Sequence, residues 1–183
     1  MPAVGKARRA APRIGIVVSR FNEDVTRRLL AGAERCLAER RVPASRVDVC
    51  WVAGAWELPV VVRHLAATGR YEAIAALGAV IRGETLHYEI IAAEASRGLM
   101  AVAVEYGVPV GFGVLTCDTE EQALERSGGA VGDKGFDAVA AALDAAATLR
   151  TRGGVPPGQH RPGGAKNARS RRGPPPARRG HPR

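Results

Sequence analysis

Residues 13–150 alternate between short β-branched or apolar runs and longer stretches whose apolar residues recur at helical spacing. Arg13–Val18 (RIGIVV) reads as a first strand. Asn22 follows, suited to cap a helix, with Glu23 and Asp24 in the first turn, where carboxylates suit the helix dipole. Val25, Leu29, Ala33 and Leu37 fall on one face of that helix, and Pro43 breaks the chain after it. Val47–Ala53 predicts a second strand. Glu57–Thr68 predicts a second helix, with Pro59 near its start and Leu58, Val61, Val62 and Leu65 on one face. Ala73–Ile81 is apolar apart from one glycine, the mark of a strand buried on both sides. A long Ala-rich helix is expected over Tyr88–Tyr106 and a fourth strand over Pro109–Leu115. Thr119 and Gln122 have capping-box spacing, so a short helix runs to Ser127 and stops at Gly128-Gly129. A last helix covers Lys134–Leu149.

This order, β-α-β-α-β-α-β-α-α, predicts an α/β fold: a three-layer α/β/α sandwich around a four-stranded parallel sheet. Sheets of this kind place ligands beyond the carboxyl ends of their strands. The unusual residues follow the strands: Arg20-Phe21-Asn22, Gly54-Ala55-Trp56-Glu57, Arg82 through His87, and Thr116-Cys117-Asp118. Four loops are expected to converge on one edge.

Charge divides the chain. The 183 residues carry a formal net charge of +9, yet residues 151–183 contain nine Lys and Arg and no acidic residue. The remainder holds 27 − 9 = 18 basic against 18 acidic groups, so the basic character belongs to the tail. Rich in Pro and Gly, that tail cannot bury enough apolar surface to offset chain entropy and is expected to be disordered. Residues 1–12 form a basic N-terminal segment, 13–150 the domain. A cationic arm for nucleic acid is one reading of the tail; an extension without a role is the favoured one. The longest apolar run is far short of the ~20 residues a spanning helix needs, and no signal-peptide core follows the first residues, which argues against membrane and secretion. Cys36, Cys50 and Cys117 form no CxxC and cannot all pair, so reduced thiols in a cytoplasmic protein are expected, with no metal site.

The loops supply chemistry. Arg82-Gly83-Glu84-Thr85 leads into the long helix, where backbone N–H groups and the Thr85 hydroxyl suit a phosphate or another anion, although many helix starts bind nothing. His87 sits at that helix start, placed to move protons or simply to cap. His64, on a polar helix side, has no expected role. Glu57 suits hydroxyl groups or a ring N–H, or serves as a first-turn carboxylate. Phe21 and Trp56 stand out because aromatics are only 4% of the chain; each is either a stacking surface for a planar ligand or core. Arg126, at a helix end, suits either that end or a phosphate. Residue types alone thus reach a site for a planar, polyhydroxylated or phosphorylated small molecule.

Several segments carry a more specific signal: Phe21-Asn22, Gly54–Pro59 (GAWELP), Gly78–Glu89 (GAVIRGETLHYE), Gly113–Thr116 (GVLT), Glu121–Arg126 (EQALER) and Asp133-Lys134-Gly135. In order and spacing, over about Ile14–Arg150, the chain resembles the 6,7-dimethyl-8-ribityllumazine synthase family of riboflavin biosynthesis. The resemblance implies a flavodoxin-like fold. It implies a transferase that condenses 5-amino-6-(D-ribitylamino)uracil with 3,4-dihydroxy-2-butanone 4-phosphate, losing phosphate and water without a cofactor. Carried over to matching positions, Phe21 stacks on the pyrimidine. Ala55, Trp56 and Glu57 hold the ribityl chain and ring, with Ala79, Val80 and Ile81 completing that site. Phe112 closes it from a neighbouring subunit. Glu84 and Thr85 take the phosphate at the helix start, Arg126 pairs with it, and His87 moves protons. Lys134 matches a basic position near the site. The resemblance further implies a homopentamer with active sites between subunits, in some members assembled into capsids, and an N-terminal strand added to a neighbour's sheet.

Two other readings compete. The related archaeal-type riboflavin synthase has a similar fold and different substrates; the GAWELP and GETLH segments argue against it. A non-catalytic shell or ligand-binding protein whose tail recruits nucleic acid is opposed by intact His87 and Arg126.

Overall fold

The structure, a computed structural model, describes residues 13–151. Expectations for the segment 1–12, including its pairing with a neighbour's sheet, and for the tail lie outside the described residues, apart from Thr151.

Four strands form one parallel sheet: β1 (Arg13–Ser19), β2 (Val47–Val52), β3 (Tyr71–Ile81) and β4 (Val110–Cys117), in the order β2-β1-β3-β4. Five helices connect or flank them: α1 (Glu23–Glu39), α2 (Leu58–Ala67), α3 (His87–Tyr106), α4 (Glu120–Arg126) and α5 (Lys134–Thr151). The pattern follows from sequence: β3 is buried almost throughout, as an apolar run in a doubly covered strand must be. On β1, Ile14, Ile16 and Val18 face α1 and α5, while Val17 faces α2 and α3. The sheet thus separates two cores. One holds Leu29, Cys36, Leu77, Val139 and Ala142; the other holds Leu58, Val62, Ile74, Leu99 and Val108. Each fully buried large aliphatic side chain contributes roughly 1.5–3 kcal/mol relative to exposure.

Strand order reverses at β1, because the chain leaves it outward to β2 and returns across it to β3. Right-handed crossovers then put α1 on one face and α2 and α3 on the other. The β1/β3 boundary is therefore the switch point beyond which a ligand crevice is expected.

Three local details differ from expectation. Asn22 does not cap α1 through its side chain; it adopts the left-handed conformation (φ 58°, ψ 52°) that Asn tolerates better than most residues, and its amide reaches elsewhere. The second helix begins with a tight turn over Ala55–Glu57 before α2 proper. Gly128-Gly129 does more than stop α4: the chain turns there into a small hairpin, β5 (Ser127–Gly129) with β6 (Gly132–Asp133). Gly128 and Gly132 both have positive φ, which explains why a glycine-rich stretch, weak as a strand signal, makes this turn. Asp133 then caps α5, accepting from the Phe136 N–H at 3.0 Å, and pairs with Arg35 of α1 at 2.9 Å. Thr119 caps α4 as its spacing predicts, accepting from the Gln122 N–H at 3.3 Å.

Candidate active site

The four strands of the main sheet being parallel, the loops after β1, β2, β3 and β4 share one edge of it, and backbone bonds tie them in pairs. The N–H groups of Arg20 and Phe21 donate to the carbonyls of Val52 (2.8 Å) and Ala53 (3.0 Å). That of Arg82 donates to the Cys117 carbonyl at 2.9 Å. Asn22 closes the switch point, its Nδ2 donating to the Ala79 carbonyl at 2.9 Å.

Phe21 and Trp56 lie at the surface. Phe21 is 69% exposed and Trp56 55%, so neither fills a core. Glu57 is partly buried, and its Oε2 accepts from the Gly54 N–H at 2.8 Å, which fixes the carboxylate's direction. Ala55, Ala79 and Val80 are buried in the two cores, so what they can offer a ligand is backbone; Ile81 is half-buried at the strand end.

Helix α3 starts one residue earlier than expected, on His87, after a bend through Glu84 and Thr85. Gly83, Glu84, Thr85 and His87 are all exposed. His87 forms no hydrogen bond or ion pair among the described residues, which leaves both ring nitrogens available. A Cβ on Gly83 would meet nothing within 4 Å, so the fold itself does not demand glycine there. Arg82, by contrast, is engaged: its Nε donates to Asp118 Oδ1 at 2.6 Å and its guanidinium lies 4.5 Å from the Tyr88 ring centroid. That hydrogen bond raises the Arg82 pKa further, and partial desolvation raises the Tyr88 phenol.

Two predicted residues, Phe112 and Lys134, stand apart from this edge within one chain. Phe112 lies in mid-strand on β4, opposite Ala76, five positions before the strand end, and is half exposed on the sheet's outer strand. Arg126, at the end of α4, donates through Nη1 to the Gln122 carbonyl at 2.9 Å and forms no hydrogen bond or ion pair with Glu84 or Thr85. Lys134 begins α5, on the face opposite α3, and pairs with Asp137 at 2.8 Å. His64 is exposed on α2, as expected.

A family model for 6,7-dimethyl-8-ribityllumazine synthase matches residues 11–150. The chain belongs to that family. The lumazine synthase match covers every element from β1 to α5 and every loop of the carboxyl edge. The four-stranded parallel sheet with helices on both sides agrees with the flavodoxin-like fold implied by the sequence. No described helix is long and apolar enough to cross a membrane, and no group of three or more described His, Cys, Asp and Glu side chains is arranged for a metal ion.

Sequence reading gave Asn22, Arg82 and Asp118 places in the loops but no function. Asn22 carried a usable signal: Asn after a strand is among the few residues at ease in a left-handed turn. The Arg82–Asp118 pair, 36 positions apart, had none, because only the β3–β4 register brings the two together.

Proposed function

We propose that this chain is a 6,7-dimethyl-8-ribityllumazine synthase, a transferase condensing 5-amino-6-(D-ribitylamino)uracil with 3,4-dihydroxy-2-butanone 4-phosphate. The observation that carries the reading is that exposed Phe21 and Trp56 and the partly buried Glu57 share one sheet edge with the Gly83–His87 helix start in a chain of this family. Phe21 offers a face to the pyrimidine. Glu57 and the backbone of Ala55, Ala79, Val80 and Ile81 take the ribityl hydroxyls and ring edge, beside Trp56. The Glu84-Thr85 bend and the first amides of α3 take the phosphate, since a helix start favours an anion.

The substrate amine attacks the ketone, and loss of water gives an imine. Phosphate then leaves by elimination, and ring closure with loss of a second water completes the lumazine. Each step moves a proton, and in this reading His87, whose imidazole has no partner among the described residues, carries it. Holding two substrates in register supplies a large part of the rate.

Phe112, Arg126 and Lys134 fit this reading as contributions to a neighbouring subunit's site, in a cytoplasmic homopentamer that in some assemblies grows to a capsid. Phe112 stands exposed on the outer strand, available to a neighbour. Nucleic acid and membrane are not part of the reading. The test is turnover of the full chain with both substrates, followed by lumazine fluorescence against an enzyme-free blank. Product well above the blank, cut by about 10²-fold or more in His87→Ala, is expected. Product at the blank rate from a folded oligomer would refute the reading.

A further inference from the structure

Arg82 joins three elements at the carboxyl edge. It is the first residue after β3, and its N–H is tied to the Cys117 carbonyl at the end of β4. Its Nε donates to Asp118 Oδ1 at 2.6 Å, just beyond β4. Its guanidinium stacks 4.5 Å from the Tyr88 ring centroid, with Nη1 4.0 Å from Glu89 Oε1, both in the first turn of α3. The path continues past Asp118. The Asp118 N–H donates to Gln122 Oε1 at 3.0 Å, and Arg126 Nη1 donates to the Gln122 carbonyl at 2.9 Å. A chain of contacts therefore runs from the helix turn holding His87 to the helix holding Arg126.

Between these anchors, Gly83, Glu84, Thr85 and Leu86 are exposed, and none makes a side-chain hydrogen bond or ion pair among the described residues. Exposed residues without such side-chain partners are weakly held, and a site that orients two substrates tolerates little displacement. The contacts that set where this loop stands come from its two ends, and Arg82 belongs to one and stacks on the other.

We infer that Arg82, held by Asp118, is a positioning residue: it clamps the Gly83–Leu86 loop and the first turn of α3, and so sets His87 and the phosphate-binding groups against β4 and α4. The inference rests on the proposed function for its catalytic consequence, though not for the clamp itself. Arg82 is not assigned as a phosphate ligand, because its Nε is already engaged by Asp118 and its face by Tyr88.

The two roles predict opposite signs for one substitution. If Arg82 is a clamp, Asp118→Asn weakens it and raises the KM for the butanone phosphate. If Arg82 binds phosphate directly, Asp118→Asn frees the guanidinium and lowers that KM. The experiment is steady-state kinetics of the full chain for Arg82→Ala, Arg82→Lys, Asp118→Asn and the Arg82→Ala/Asp118→Asn double variant, with hydrogen exchange of the 83–88 amides. Expected are a roughly 10- to 100-fold lower kcat in Arg82→Ala and a higher KM for the butanone phosphate. The KM for the ribitylaminouracil should stay unchanged. Arg82→Lys should recover part of the loss, and the double variant should be no worse than Arg82→Ala, since both changes remove one interaction. Exchange at residues 83–88 should quicken in Arg82→Ala.

A lower phosphate-substrate KM in Asp118→Asn would overturn the inference, as would additive losses in the double variant. So would a parallel rise of both KM values with a fall in melting temperature, the mark of a general structural role. Should the unaltered chain show no turnover, the proposed function falls, and the exchange measurement alone decides the clamp: unchanged protection of residues 83–88 in Arg82→Ala refutes it.

Discussion

Asn22 and Ala79 lie 57 positions apart, and the Asn22 amide donates to the Ala79 carbonyl at 2.9 Å. That bond spans the switch point between β1 and β3 and fixes the loop bearing Phe21 against the strand that leads to Arg82. Asn22 does two jobs, since its backbone also occupies the left-handed region. Asn22→Ala loses both and should cost about 1–3 kcal/mol. Asn22→Gly keeps the turn and loses only the bond, so it should cost less. Urea unfolding of the three proteins measures the order, and a greater loss in the glycine variant would contradict it.

Gly83 offers a different separation. Its added Cβ would meet nothing within the chain, so Gly83→Ala should leave the unfolding midpoint unchanged or slightly raised. If the bend before α3 receives phosphate closely against its backbone, the same methyl crowds the ligand. The expected result is a severalfold higher KM for the butanone phosphate in a protein of undiminished stability. Kinetics and thermal melting on one preparation check both halves.

Gly135 shows the contrary case. A Cβ there would overlap the Leu29 carbonyl, and backbone cannot yield as a flexible side chain would. Gly135→Ala should therefore force α5 away from α1 and destabilise by about 1–3 kcal/mol. Gly107→Ala, at the left-handed end of α3 and facing open space, should cost about 1–2 kcal/mol through strain alone. Crowding and strain separate on adding the second variant Gly107→Asn, which should recover most of the loss.

At the opposite edge of the sheet, Asp48 accepts from Arg13 Nε and Nη2, each at 2.6 Å, and from the Tyr71 hydroxyl at 2.9 Å. The Arg13 hydrogen bonds hold the Asp48 carboxyl below its usual range, against some desolvation. A depressed carboxylate stabilises the fold above the unfolded pKa of about 4, and its contribution disappears as pH falls through the lower folded value. Desolvation first, then the bond to Asp48, raises the Tyr71 phenol, whose contribution is present below about pH 10 and lost as pH rises beyond that. Asp48→Asn should lower the urea midpoint at pH 7, and its difference from the unaltered chain should shrink toward pH 3. A constant difference would mean that the ion pair contributes nothing.

How much of this could be read before the fold was known depended on the range of each signal. The apolar run Ala73–Ile81 and the spaced face Val25, Leu29, Ala33 and Leu37 are local patterns, and β3 and α1 form where they predict. Four loops on one edge followed from parallel strands alone. An Asn after a strand gives the same local signal whether it caps a helix through its side chain or turns the backbone, and Asn22 does the second. The β5–β6 hairpin is not legible in the sequence because its glycines carry no side-chain pattern, only a backbone freedom. The Arg82–Asp118 pair was invisible because register, not sequence, makes the contact. Phe112 and Lys134 came only from resemblance, and one chain does not bring them to the edge where Phe21 and His87 meet.

The strand order has a consequence for synthesis. Ile14 of β1 pairs with Val47 on one side and Ala73 on the other, so the first of the described strands is an inner one, flanked on both sides by strands made after it. As the chain leaves the ribosome, β1 can dock α1 and then β2, yet its second edge stays open until β3 has been translated. A slow stretch of translation between Val52 and Tyr71 would lengthen the time that this unpaired edge stays bare, and with it the nascent chain's need of a chaperone.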